Sequence, residues 1–293
     1  MIIYKFKHMY NKLATLVAFF ILFSACKKAA DVSQTSPNAA SPRMTNLQLQ
    51  SEFAGAAVLK ETPEDLQDIA GQTPIDIRTN NTVKFQSEDP VFHYEAIDWD
   101  VVNNATTVND KVERNLKAVV PEGNTANYIL LQGHRSNLLQ FHFHWNSEHA
   151  LNGTKGDMEV HLVHQDPETK KLAVLGVLIY RGARSKYMGE VFEASPLADS
   201  AAQKLEGFDP FSFIPDNYNN YYTYSGSLTT PGGGVAAEPY LEGLTWIVFH
   251  GFQTINNEQL DQYKEIYEEP NSRELQPVGD RKVYRHVGYV PSN

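Results

Sequence analysis

Between Gln140 and Trp145 polar and aromatic residues alternate without a break: Gln140, Phe141, His142, Phe143, His144, Trp145. In a strand, neighbouring side chains project to opposite faces. Gln140, His142 and His144 therefore share one face, while Phe141, Phe143 and Trp145 point into apolar packing. A second alternation follows, with Glu159, His161 and Val163 on one face and Val160, Leu162 and His164 on the other. A short connection through Asn152-Gly153 lets these two strands pair as antiparallel neighbours. Val101-Val102, Leu138 to Trp145, Met158 to Gln165, Leu172 to Tyr180 and Thr245 to His250 all read as extended, with Gly, Asn, Asp or Pro nearby. Asn257-Glu258 opens a helix carrying Leu260, Tyr263 and Tyr267 on one face. The pattern predicts a mainly β (α+β) fold: a central twisted, mostly antiparallel sheet with short peripheral helices. Fifteen Tyr and fifteen Phe favour the same class.

The N-terminal pattern is different. Lys5, Lys7 and Lys12 precede an apolar run from Leu13 to Phe23, followed by Ser24, Ala25 and Cys26. A basic start, a short apolar run and small residues describe a secretory signal over residues 1–25 rather than a spanning helix. Cys26 is the single cysteine, so no intramolecular disulfide can form. Its position after Phe23-Ser24-Ala25 resembles the lipobox of bacterial lipoproteins. That resemblance implies acylation of Cys26, export, and anchoring by lipid to the periplasmic or cell-surface face of a bacterial membrane. Residues 26–46, rich in Ala, Ser, Thr, Asn, Gln and Pro, read as a flexible tether. No second linker or repeat interrupts residues 47–293, which are expected to form one domain. The formal net charge of −10 argues against nucleic acid as a partner.

Five of the ten histidines fall between positions 142 and 164. With the two strands paired, His142, His144 and His161 converge on one sheet face. Three imidazole nitrogens with a fourth position open suit zinc, although spacing alone points to a metal site without naming the ion.

These residues carry a family resemblance. Gln140 to Trp145, Ser147-Glu148-His149 and Glu159 to His164 resemble the signature of the α-class carbonic anhydrases. In order along the chain, Gln72 to Ile77, Leu172 to Gly176, Phe208-Asp209-Pro210, Gly226 to Pro231, and Asn271, Arg273, Gln276-Pro277 and Arg281 match further family segments. The resemblance covers about residues 70 to 285. It implies zinc held by His142, His144 and His161, and attack of zinc-bound hydroxide on carbon dioxide to give bicarbonate and a proton. It also implies that Gln140, Glu159 and the Asn271 carbonyl hold the three rings. Thr229 would accept from the reacting oxygen and donate to Glu148. Val163, Val174, Leu228 and Trp246 would form the carbon dioxide pocket, with Thr230 near bicarbonate.

The sequence departs from the family in three places. Asn103-Asn104-Ala105-Thr106 puts Thr106 where a proton-shuttling histidine often stands, and threonine cannot carry protons near neutral pH. The paired cysteines of exported relatives are missing, and the loop from Thr230 to Glu242 is longer and richer in glycine. The tryptophan-rich N-terminal segment of many relatives is not recognisable, and residues 47–70 are expected to cover the same edge differently. Two alternatives stand beside this reading. His142-x-His144-x₃-Glu148 resembles part of a cupin motif, in which Glu148 would bind metal, but without its flanking glycines. A non-catalytic binding module on the same fold is the other.

Overall fold

The structure is a computed structural model. It describes residues 71–108, 111–196, 200–230, 242–267 and 269–288, with the backbone alone between 104 and 115. The signal segment, Cys26, the tether and the expected domain start at 47 lie outside the described residues, as do positions 231–241 of the glycine-rich loop.

The first half carries strands β1 (Asp76–Ile77), β2 (Val83–Phe85), β3 (Val91–His93), β4 (Ile97–Val108), β5 (Lys111–Val119), β6 (Tyr128–Leu131) and β7 (His134–Trp145). Next come β8 (Ala150–Leu151), β9 (Thr154–Lys155), β10 (Met158–Gln165) and β11 (Leu172–Arg181). The remainder are β12 (Gln203–Phe208), β13 (Asn220–Ser227), β14 (Glu242–Phe249), β15 (Gln253–Ile255) and β16 (Tyr284–Val287). Two short helices, α1 (Lys186–Glu193) and α2 (Asn257–Ile266), accompany them.

The main sheet runs β12-β4-β5-β7-β10-β11-β14-β13-β16-β2, with β15 on β11 and the β3–β6 pair joined to β7. It is mostly antiparallel, as expected, with parallel contacts at β11–β14, β11–β15 and β2–β16. Asn152-Gly153 turns β8 back into β9 rather than joining the two histidine strands directly. Both residues have positive φ, the backbone of a two-residue hairpin turn. β7 and β10 still pair antiparallel, through a longer connection that holds this small hairpin.

The central strands are covered on both sides, because their alternate residues feed two separate apolar cores. Met158, Val160, Leu162, Leu175, Val177, Ile179, Ile247 and Phe249 join one core with Trp99, Phe141, Phe143 and Phe213. Val163, Val174, Leu178, Trp246, Val248, Tyr222 and Tyr224 join the other, with Ile75 and Ile77. Both helices lie on the first core. Ser185 caps α1 by accepting from Met188 N, and Met188, Val191 and Phe192 are buried. Asn256 caps α2 by accepting from Gln259 N, and Leu260, Tyr263 and Tyr267 are buried.

The β4–β5 hairpin outruns its neighbours. β12 contacts β4 no further than Val101, and β7 contacts β5 only from Lys117 to Val119. Beyond those points the two strands pair with each other, Thr106 opposite Glu113. Thr106 therefore belongs to a strand of this projecting arm, and its side chain lies outside the description.

His164 packs with the aromatic core rather than the histidine face. Its ring stacks on Tyr94, whose hydroxyl lies 2.5 Å from Nε2, while Nδ1 donates to Leu162 O at 3.0 Å. Burial pushes His164 down to about 3, against the smaller upward pull of nearby backbone carbonyls. An unfolded histidine takes up its proton near 6.5. The neutral folded form thus contributes stability that is complete above pH 6.5 and is lost as pH falls toward 3. His164→Gln keeps a polar partner for Tyr94 but cannot titrate. Urea unfolding between pH 7 and 4 is expected to show a pH slope shallower in this variant by up to one proton, about 1.4 kcal/mol per pH unit. Equal slopes in both proteins would refute this role.

Candidate metal centre

Strand register builds the site as three rows across one face of the sheet. Gln140, Val163, Val174 and Trp246 stand opposite one another along the first row. Lys117, His142, His161, Gly176 and Val248 make the second. His144, Glu159 and Leu178 make the third. Directly opposed residues bring their side chains within contact distance. The three histidine rings accordingly sit 4.9 Å (His142–His144), 5.2 Å (His142–His161) and 4.7 Å (His144–His161) apart, centroid to centroid. All three are buried, and one nitrogen from each falls within 4.8 Å of the others.

Each ring is held by its outer nitrogen. His142 Nδ1 lies 2.8 Å from Gln140 Oε1, His144 Nδ1 lies 2.8 Å from the carbonyl of Asn271, and His161 Nε2 lies 3.0 Å from Glu159 Oε1. Those acceptors fix the outer nitrogens as N–H, leaving the inner nitrogens as lone pairs. His144 Nε2 and His161 Nδ1 are buried with no hydrogen-bond partner. Unpaired buried acceptors are costly, and here they face one another around a common point. Burial, followed by the neighbouring His144 and His161, holds His142 well below the ordinary histidine range. Burial lowers His144 as well, only partly offset by Glu148. Burial would also lower His161, but the Glu159 and Glu148 carboxylates outweigh it and raise that group.

Glu159 is the hub beneath the triad. Its Oε2 accepts from the amides of Glu148 and His149, both at 2.8 Å. Its Oε1 meets His149 Nδ1 at 2.7 Å as well as His161 Nε2. Burial alone would raise this carboxyl, yet His149 and His161 hold it well below the usual range. His149, Glu159 and His161 also cluster as possible metal donors. The atoms involved are already hydrogen-bonded to each other, which removes them as a separate site. His149 Nε2 lies 2.7 Å from Tyr224 Oη, itself 3.2 Å from Thr73 Oγ1.

Glu148 is fully buried beside the triad. Arg273 N donates to its Oε1 at 2.9 Å, and its Oε2 has no partner, 3.8 Å from His161 Nδ1. The expected hydrogen bond from Thr229 to Glu148 is therefore not made in this structure. Thr229 is buried, two positions before the segment 231–241. Glu148 belongs to neither cluster of metal donors among the described residues, contrary to the cupin-like alternative. Val163, Val174 and Trp246 lie together in the second core, with the partly buried Leu228 packed against them and Thr230 half-buried two positions on.

The sequence between residues 63 and 287 matches the family model described as eukaryotic-type carbonic anhydrase. The chain belongs to the eukaryotic-type carbonic anhydrase family. It is 30% identical over 221 residues to the carbonic anhydrase of Nostoc sp., spanning 74% of this chain and 76% of that one. It is also 30% identical over 212 residues to the carbonic anhydrase of Neisseria gonorrhoeae, spanning 72% and 76%. Among solved structures, the α-carbonic anhydrase of Thermovibrio ammonificans superposes with a TM-score of 0.62 at 33% identity, covering 73% of this chain and 86% of that one. That of Photobacterium profundum gives 0.61 at 28%, covering 73% and 88%.

For a carbonic anhydrase the donor set fits zinc: three neutral imidazoles, each with its outer N–H tied down and its inner lone pair free. Two contributors escaped the sequence reading. The Arg273 amide acts through backbone, which leaves no residue-type signal. Gly176 stands inside a strand, where glycine marks close approach. A Cβ there would lie 2.8 Å from Glu159 Oε1. Gly176→Ala is expected to displace that carboxylate from His161 and to weaken zinc about 10- to 100-fold, the usual effect of disturbing a ligand's support. Competition against a chelator measures it, and unchanged affinity would show that Glu159 shifts without cost.

Proposed function

We propose that this chain catalyses the reversible hydration of carbon dioxide to bicarbonate and a proton at the centre formed by His142, His144 and His161. The observation that carries the reading is the pair of buried, unpartnered nitrogens on His144 and His161, facing His142 inside a carbonic anhydrase domain. Bound zinc supplies a Lewis acid that brings the pKa of water to about 7, the established figure for carbonic anhydrases and not one obtained from this chain.

The protein's own residues do the rest. Gln140, Glu159 and the Asn271 carbonyl hold each ring in the tautomer that presents its inner lone pair. The Arg273 amide fixes Glu148 with Oε2 turned toward the triad. That oxygen is the acceptor we assign to the Thr229 hydroxyl. Once its proton is committed to Glu148, Thr229 can only accept at the reacting oxygen, which aims that oxygen's lone pair at the substrate. Val163, Val174, Leu228 and Trp246 offer an apolar wall suited to a linear, weakly polar molecule, and Thr230 a polar contact for bicarbonate. With Thr106 in place of a histidine, protons leave to the buffer.

Stopped-flow hydration by the zinc-loaded protein from Lys27 onward is expected to exceed the uncatalysed rate and to rise with buffer concentration. His144→Ala is expected to abolish it. Zinc-loaded protein with no hydration would overturn the activity. A rate indifferent to buffer would overturn only the missing shuttle.

We also read the chain as an exported lipoprotein. Lys5, Lys7 and Lys12, the apolar run to Phe23 and the small residues before Cys26 support this. In a bacterial host the full chain is expected to take up labelled palmitate and to fractionate with membranes. Cys26→Ala is expected to lose the label, and a variant that keeps it would refute acylation at Cys26.

A further inference from the structure

Lys117 stands in the same row as two of the zinc-site histidines, His142 and His161. β5 meets β7 through Lys117 opposite His142 and Val119 opposite Gln140. Opposed residues project to the same face. Its neighbours Leu116 and Ala118 are buried in the core on the other side of the sheet. Lys117 is thus directed to the metal face, half-buried, at the base of the projecting β4–β5 arm. Its charge is felt at His142, where it disfavours a proton.

Among the described residues Lys117 has no salt-bridge partner. Of the two carboxylates nearest the triad, Glu159 takes four hydrogen bonds and Glu148 accepts from the Arg273 amide through Oε1, and neither pairs with Lys117. The chain as a whole is acidic, at −10, and repels anions at long range. Opposite His142, Lys117 sets a cation at the edge of the metal site, one strand from the nearest ring, where it partly offsets that field. Low-dielectric walls strengthen such a charge.

We infer that Lys117 is an anion-holding group on the wall of the metal site, raising the site's affinity for small monovalent anions, bicarbonate among them. The inference rests on the zinc-centre reading. It makes Lys117 a residue that favours the charged product over the neutral substrate, so its removal is expected to weaken product binding more than turnover.

Azide titration of the cobalt(II)-loaded protein, followed by visible absorption, tests this without measuring hydration. Lys117→Met keeps much of the stem and removes the charge. It is expected to weaken azide about 5- to 20-fold, the order expected for removing one nearby charge at an effective dielectric of about 20. Lys117→Arg is expected to restore the affinity, and the gap between wild type and Lys117→Met should shrink as an inert salt is added. Bicarbonate as the titrant should follow the same order. Equal azide affinity in wild type and Lys117→Met, both carrying one cobalt per chain, would overturn the inference and leave the zinc centre intact. Failure of the wild-type chain to bind cobalt would instead overturn the zinc centre. Lys117→Gln is the second variant; loss of cobalt from both neutral variants would make Lys117 a structural residue and end the proposal.

Discussion

Glu159 has no solvent exposure, and four hydrogen bonds converge on its two oxygens. A carboxylate carried into a protein interior is tolerated only when it is fully satisfied, so every donor it uses becomes a constraint on the chain. The amides of Glu148 and His149 must turn inward, which sets Glu148 beside the triad. The His161 ring must give Glu159 its Nε2–H, which leaves Nδ1 as the atom facing His142 and His144. β11 passes so close that a Cβ at position 176 would stand 2.8 Å from Glu159 Oε1. Through His149 the constraint extends to Tyr224 on β13 and to Thr73 near the start of the described chain.

A second clasp comes from the C-terminal segment. Asn271 takes hold of β7 from its edge: its amide donates to Trp145 O, its Oδ1 accepts from Trp145 N, and its Nδ2 donates to Phe143 O. Its carbonyl then reaches His144. Arg273 follows, with its amide on Glu148 and its guanidinium on Thr73 O, 200 positions away. Arg281 closes the segment by donating to the carbonyls of Gln72, Ser225, Pro277 and Val278. The three rings thus depend on segments from both ends of the described chain. No local stretch could hold them alone.

This division explains what the sequence could and could not reveal. The alternation at 140–145 and 159–163 was legible because a strand's period of two is fixed by backbone geometry, and a one-residue slip would send Phe141 and Phe143 to the metal face. The helix opening at Asn257 was legible from its apolar stripe, while its cap, Asn256, emerged only in the structure. α1 was not placed, being eight residues long with a glycine in its middle. Asn152-Gly153 signalled a hairpin, and the hairpin is there, but between β8 and β9 rather than between the ligand strands. Lys117 escaped because its row is set by pairing with His142 on β7, 25 positions along the chain, which no periodicity in β5 reveals. The Thr229 link to Glu148 came from resemblance alone, and the structure leaves that carboxylate oxygen without a partner.

The two unpartnered nitrogens follow from the same logic. Each buried acceptor left without a donor costs roughly 1–3 kcal/mol, and a fold selected for stability alone would pair them or replace them with apolar groups. The surrounding atoms prevent either nitrogen from turning away, because Asn271 and Glu159 hold the opposite side of each ring. Burial also suppresses protonation at His142 and His144, removing the proton as a competitor for their lone pairs. A cation that accepts three lone pairs at once relieves this cost, so metal binding and folding are coupled. Because all three donors are neutral, the ion keeps its full charge, and an anion drawn toward it meets Lys117 on the same row. Selectivity for a soft-to-borderline cation and retention of an anion are two consequences of one arrangement: imidazoles fixed from behind by groups that cannot let go.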